Sequence, residues 1–236
     1  MMKAYETGIL FVHGIQGKPA QFQFLIDQLP PQVCCQNVLL PGHGRSVREF
    51  RQADAEQWLS AVRLACDEMR DQCQRLYFVG HSMGCLLGLL LEQEKKTFSG
   101  MLLLCCPFYV WVTFRYLRNN ALAYCMKRPA KDPFVLAAQQ ANGVPSKHAL
   151  AYLLCARPYL ELFRLIRRAR AHTLTLPANT RFYFSELDEI VSGKSLAYAQ
   201  TRCGAEADVL PQCGHNYFTG AAQAHLAATL LEMLEK

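Results

Sequence analysis

The chain has 236 residues, 51% of them hydrophobic, and a formal charge of +6. That length suits one domain carrying an insertion better than two full domains, and the apolar share can build a sizeable core. No internal period argues for a repeat array, and the longest nearly apolar stretch, 100–114, is broken by Pro107 and falls short of a membrane span.

The apolar run at 9–12 is too short for a signal peptide. Eleven cysteines are present, an odd number with no C-x-x-C spacing, and two pairs are adjacent, at 34–35 and 105–106. They read as small buried hydrophobes in a reducing compartment, so a cytoplasmic location is expected. Cys and His do not cluster at zinc-ligand spacing, so no metal site is expected.

In chain order, TGILFV at 7–12 reads as a strand ending in His13-Gly14. A helix is predicted over 19–29, a second strand over 33–40, and the glycine-rich PGHG follows at 41–44. Asp54 can cap a helix over 55–73, with Trp58, Val62, Ala65, Cys66 and Met69 on one face. RLYFV at 75–79 makes a buried strand, and MGCLLGLLL at 83–91 makes a buried helix. GMLLLCC at 100–106, TRFYFS at 180–185 and EADVL at 206–210 complete six strands, with helices predicted over 193–201 and 217–235. Strands alternate with helices outside 107–178. Most are apolar without polar alternation, as strands covered on both faces of a parallel sheet should be. The expected class is α/β. Ligands of such sheets bind at the carboxyl ends of the strands.

One of those ends carries GHSMG, residues 80–84. Ser82 lies where a strand turns into a helix, and glycines on both sides relieve Cβ clashes there. Such a serine projects its hydroxyl beside a helix N-terminus. The plainer alternative is a turn with a capping serine. A hydroxyl needs a base, and an oriented histidine supplies one. His215, in PQCGHNYF just past the last strand, is the candidate. His148, His172 and His225 read as surface or packed histidines. His13 and His43 read as loop-shaping residues, and His81 points away from the base position. The acid should come from YFSELDEIVSG, where Asp188 is favoured. Glu186 is the first alternative and Asp208 the outsider. The alternative role for Asp188 is to cap the segment after it.

The order Ser82, Asp188, His215, with GHSMG, resembles the α/β-hydrolase superfamily, over nearly the whole chain outside 107–178. FVHGIQG at 11–17 resembles the loop that gives an oxyanion-hole amide, LLPGHGRS at 39–46 the loop after the next strand, LDEIVS at 187–192 the acid loop, and GHNYF the histidine loop. Ser192 replaces the usual proline of the acid loop, and Cys85 replaces a common glycine. The nearest resemblance is to small bacterial carboxylesterases and monoacylglycerol-lipase-like enzymes. It implies a six-stranded, mostly parallel sheet, without the two extra N-terminal strands of larger members. It also implies a core of residues 1–106 and 179–236, and a catalytic triad of Ser82, Asp188 and His215. Together with elbow geometry it points to oxyanion donors at the backbone of Met83 and Ile15, with Gln16 the alternative to Ile15. No cofactor is implied.

Residues 107–178 interrupt the alternation, and Pro107, Pro129, Pro133, Pro145 and Pro158 divide them into short helices expected to cap the rim. Eleven Lys/Arg against Asp132 and Glu161 give them +9, which leaves −3 for the rest of the chain. They also hold ten aromatic residues. The functional reading is an apolar acyl pocket under a basic surface that meets anionic lipid transiently; the plainer one is a solvated basic face. A small-molecule acyl ester is the expected substrate, and no nucleic acid is expected as partner. Thioester hydrolysis or acyl transfer by the same triad is the runner-up, and a non-catalytic binding protein the remote alternative.

Overall fold

The computed structural model describes residues 3–125, 129–144, 155–171 and 174–235. Six strands form one sheet: β1 (Tyr5–Val12), β2 (Cys34–Val38), β3 (Cys73–His81), β4 (Gly100–Leu104), β5 (Asn179–Ser185) and β6 (Glu206–Leu210). Every neighbouring pair is parallel, in the order β2-β1-β3-β4-β5-β6. All six carboxyl ends therefore share one edge. β4 is buried along its length, while β2 and β6, at the two edges, are partly exposed.

The helices follow from local chemistry. The predicted helix at 19–29 is instead a 3-10 turn, Pro19–Phe22, running into the single-turn α1 (Gln23–Ile26). A helix absent from the sequence reading, α2 (Val47–Gln52), is closed by a capping box between Ser46 and Glu49. α3 (Ala55–Gln72) starts at an Asp54–Gln57 capping box, and Trp58, Val62, Ala65, Cys66 and Met69 are buried. Trp58 donates its indole N–H to the Pro41 carbonyl at 3.0 Å, so this helix also holds the glycine-rich loop. α4 (Met83–Lys95) is almost wholly buried.

Residues 107–178 carry α5 (Phe114–Cys125), α6 (Pro133–Ala141) and α7 (Ala156–Ala171). α5 and α6 pack together, whereas α7 packs against α2, α3 and α4. Two ion pairs fix α7 to the start of α3: Arg157 to Asp54 at 2.8 Å and Arg168 to Glu56 at 2.6 Å. The basic insertion thus sits partly on acids of the more negative remainder. His148, His172, Pro145, Lys127, Arg128 and Lys147 lie outside the described residues. α8 (Lys194–Arg202) and α9 (Gly220–Glu235) complete the chain.

The cysteines with described side chains are all free thiols. Among the described residues, no helix is long and apolar enough to cross a membrane.

Candidate active site

The turn from β3 to α4 places its strain on the serine. Ser82 has φ 52° and ψ −121°, a region that side chains avoid unless the surroundings enforce it. The flanking glycines supply room. A Cβ on Gly84 would stand 2.0 Å from the Val12 carbonyl oxygen, and one on Gly80 would stand 2.9 Å from the Cys85 amide. α4 can therefore seat its first turn against the end of β1. Ser82 makes no capping bond to the helix, so the capping-serine alternative does not describe it.

Its hydroxyl faces His215 instead, with Oγ 3.0 Å from Nε2. The His215 Nδ1 lies 2.9 and 3.1 Å from the two Asp188 carboxylate oxygens. Asp188 Oδ1 also accepts the N–H groups of Ile190 and Val191, each at 2.8 Å. One carboxylate thus caps its own turn and hydrogen-bonds a histidine ring. Glu186 is exposed and accepts the Gln212 N–H at 2.8 Å, away from the histidine ring. Asp208 is an exposed residue of β6.

Burial lowers the pKa of His215. The charge and hydrogen bond of Asp188, and the charge of Glu189, outweigh it, and the result lies above the ordinary histidine value. For Asp188 burial acts to raise the pKa. The His215 charge and bond, with the two amides, bring it below the ordinary carboxylate value. The pair is therefore a carboxylate beside an imidazole whose remaining lone pair faces Ser82.

Four supporting hydrogen bonds were not legible in the sequence. Glu189 is buried and accepts the His215 backbone N–H at 2.9 Å. Gln21 donates its amide to His81 Nδ1 at 2.8 Å, and His81 Nε2 donates to the His215 carbonyl at 2.8 Å. Ser192, standing where the related loop has proline, donates its N–H to the Tyr109 carbonyl at 2.9 Å, a bond proline could not make. Val110 and Val191 bridge there, joining the acid loop to the insertion. Cys85 donates to the Leu104 carbonyl at 3.2 Å, a packing contact behind the site.

His13 and His43 shape the rim. His13 Nε2 accepts the Leu40 N–H, and His43 Nε2 accepts the Gln16 N–H at 3.0 Å. Gln16, with φ 56°, therefore has its amide engaged; Ile15 and Gln16 both line the cavity at Ser82. Met83 is the first residue of α4, next to Ser82.

That cavity is small, about 40 Å³, and largely polar: Gln21, Asn120, Asn142 and Asn216 line it with Tyr116 and His215. An apolar groove lies beside it. A groove of about 520 Å³ between α6 and the segments around Phe24 and Phe218 is lined by Leu136, Ala137 and Tyr217. The two spaces share Gln21, Ala141 and Asn216 as a wall. His81, Cys105 and His215 bring potential ligand atoms within 4.8 Å of one another. The ring nitrogens of both histidines already have hydrogen-bond partners, so these residues fit a hydrogen-bonded relay better than an ion.

Comparison with known proteins agrees with this architecture. A thermostable monoacylglycerol lipase of Bacillus sp. (strain H-257) is 26% identical over 98 residues, which are 40% of this chain and 38% of the lipase. The match thus spans well under half of that relative. Among solved structures, a chain from the work on LipS and LipT, two metagenome-derived lipolytic enzymes, superposes with a TM-score of 0.71 at 18% identity, covering 99% of this chain and 96% of its own. E-2-(acetamidomethylene)succinate hydrolase gives 0.70 at 17% identity, covering 99% and 93%. At these identities the superpositions speak to fold alone. The profile of the alpha/beta hydrolase family matches residues 9–228, from the first strand to the last helix, and it is to this family that the chain belongs.

Proposed function

We propose that the chain is a serine hydrolase that cleaves carboxylic esters of apolar acyl chains through an acyl-enzyme. The observation that carries this reading is the continuous hydrogen-bonded line from Ser82 through His215 to Asp188. Ser82 Oγ attacks the ester carbon as His215 Nε2 takes its proton. The tetrahedral oxyanion accepts the N–H groups of Met83 and Ile15. His215 then returns the proton to the departing alcohol. In the second half, His215 deprotonates a water that attacks the acyl-enzyme, and the acid leaves as Ser82 regains its proton. The engaged amide of Gln16 favours Ile15 as the second donor.

The acyl chain is assigned to the 520 Å³ groove under α6, entered past the Gln21–Asn216 wall. Gln21 and Asn216 are joined there by one 3.4 Å hydrogen bond, and the Gln21 Oε1 is buried with no partner among the described residues. A fluorophosphonate is expected to label the unaltered chain and not Ser82→Ala. Labelling that persists in the alanine variant removes Ser82 as nucleophile, and no labelling of the unaltered chain favours a binding protein. A panel of p-nitrophenyl esters and acyl-CoAs of graded length separates ester from thioester hydrolysis.

Transient docking on anionic lipid is the partner we assign to the insertion. Trp111 and Phe114 are 74% and 82% exposed, and Leu160 and Phe163 extend the apolar face across a groove shared with Val110. Arginines stand beside it. Arg164 pairs with Glu161 and Arg168 with Glu56, but Arg167 has no carboxylate partner among the described residues. Aromatic side chains beside cations suit a negatively charged interface. The chain is expected to sediment with phosphatidylcholine vesicles containing 30% phosphatidylglycerol and not with pure phosphatidylcholine. Binding should weaken with salt and fall at least tenfold in Trp111→Ala/Phe114→Ala. Equal sedimentation with both vesicles, or none with either, defeats the assignment.

A further inference from the structure

We infer that Gly143, at the end of α6, is a positioning residue that holds the oxyanion loop from within the insertion. The inference rests on the hydrolase reading above. Its peptide is wedged between two rim loops. The Gly143 N–H donates to the Gln16 carbonyl at 2.6 Å, and the Gly143 carbonyl accepts the Gly44 N–H at 2.6 Å. The first loop, 14–17, carries Ile15. The second, 41–46, carries His43, whose Nε2 accepts the Gln16 N–H. Gln16 is thus gripped on both its amide and its carbonyl, one side by the core and the other by the insertion.

That grip has a purpose at this position. Gln16 holds φ 56° without being glycine, a conformation that persists only where surrounding bonds enforce it. Ile15 precedes Gln16 directly in the same short loop, so bonds that fix Gln16 also restrict the backbone that carries the Ile15 N–H. Donors of an oxyanion hole act through being fixed in advance, so loosening the loop weakens the transition state more than the bound ester. Only glycine fits at 143. A Cβ there would stand 1.9 Å from the Gly17 carbonyl oxygen and 2.7 Å from the Gly17 carbonyl carbon, both backbone atoms that cannot rotate away. Gly143 is buried, and the next described residue, Val144, is fully so, which leaves the segment little room to withdraw.

Gly143→Ala is the test, with Gly220→Ala as control because a Cβ at Gly220 meets nothing within 4 Å. On a p-nitrophenyl ester, Gly143→Ala is expected to lower kcat by about 10²-fold, the size of losing one oxyanion donor. KM should change little. Affinity for a trifluoromethyl ketone, whose hemiketal oxygen occupies the same place, should fall in parallel. The acid limb of the pH profile should stay where it is, because the Asp188–His215 pair is untouched. A merely structural role would lower the melting temperature without that parallel loss of analogue affinity, and would overturn the inference. So would a normal kcat. If the variant does not fold, hydrogen exchange on the unaltered chain decides. The amides of 16 and 143 should be protected together, and rapid exchange at 143 in an active chain overturns the inference. Absence of turnover by the unaltered chain defeats the hydrolase reading and this one with it; turnover that Gly143→Ala retains defeats only this one.

Discussion

Replacing Asp188 with Asn is expected to lower kcat by about 10⁴-fold, the cost of the same change in a serine protease triad, with the fold intact. The geometry separates the two tasks of this side chain. An asparagine carbonyl can still accept the N–H groups of Ile190 and Val191, so the turn is kept. The Asn amide, however, would present N–H to His215 Nδ1, 2.9 Å from the present oxygen. His215 would then carry its proton on Nε2 and could no longer accept from Ser82. The lost carboxylate charge also lowers the His215 pKa, which Asp188 now raises. Glu186→Gln is the matched control. Its bond to the Gln212 N–H braces a left-handed turn, with φ 57° at Gln212, and touches no triad atom. Steady-state kinetics on a p-nitrophenyl ester compare the two. A crippled Glu186→Gln beside a near-normal Asp188→Asn would mean the acid has been misassigned.

Much of the frame was legible because it is written in local chemistry. Six apolar runs gave six strands within a few residues. Asp54, followed three residues on by Gln57, marked the start of α3. The same kind of signal, Ser46 followed three residues on by Glu49, opens α2, although the helix is only six residues long. Pro19 did open a helix, but Pro30 and Pro31 lie too close for it to run on, and it ends at Ile26. The site residues announce themselves at strand ends. Their supports do not. Gln21, Glu189 and Gly143 come from three distant stretches, and only the closed tertiary structure brings them to His81, His215 and Gln16. The pocket was the least legible. The apolar residues of the insertion suggested an acyl pocket over the serine, yet Asn120, Asn142 and Asn216 converge there, and the apolar groove lies to one side.

Acid should unfold this chain earlier than carboxylate titration alone would. Burial first, then the neighbouring histidine charge, push the pKa of His13 down to about 3 and that of His81 to about 3; burial pushes His43 to about 4. Each ring also accepts a hydrogen bond that protonation would abolish: from Leu40 N–H to His13, from Gln16 N–H to His43, and from the Gln21 amide to His81. In the unfolded chain all three titrate near 6.5. A folded pKa below the unfolded one contributes stability that is present above the unfolded pKa and lost as pH falls toward the folded value. The window therefore opens near pH 6.5 and extends toward 4 for His43 and toward 3 for His13 and His81. Each histidine adds a slope of about 1.4 kcal/mol per pH unit, so three give about 4 kcal/mol per unit, against a total near 5–15 kcal/mol for a domain. His215 has the opposite sign. Its raised pKa contributes stability at and below about 6.5 that is lost as pH rises through the folded value. Urea midpoints at pH 7.5, 6.5, 5.5 and 5.0 test this. Stability should hold at the upper end and fall steeply below pH 6. His43→Gln keeps an acceptor for the Gln16 amide, so it should remove one proton from the slope. A flat profile between pH 7 and 5 would mean that these three rings are not held neutral, and that the rim loops depend on something other than their hydrogen bonds.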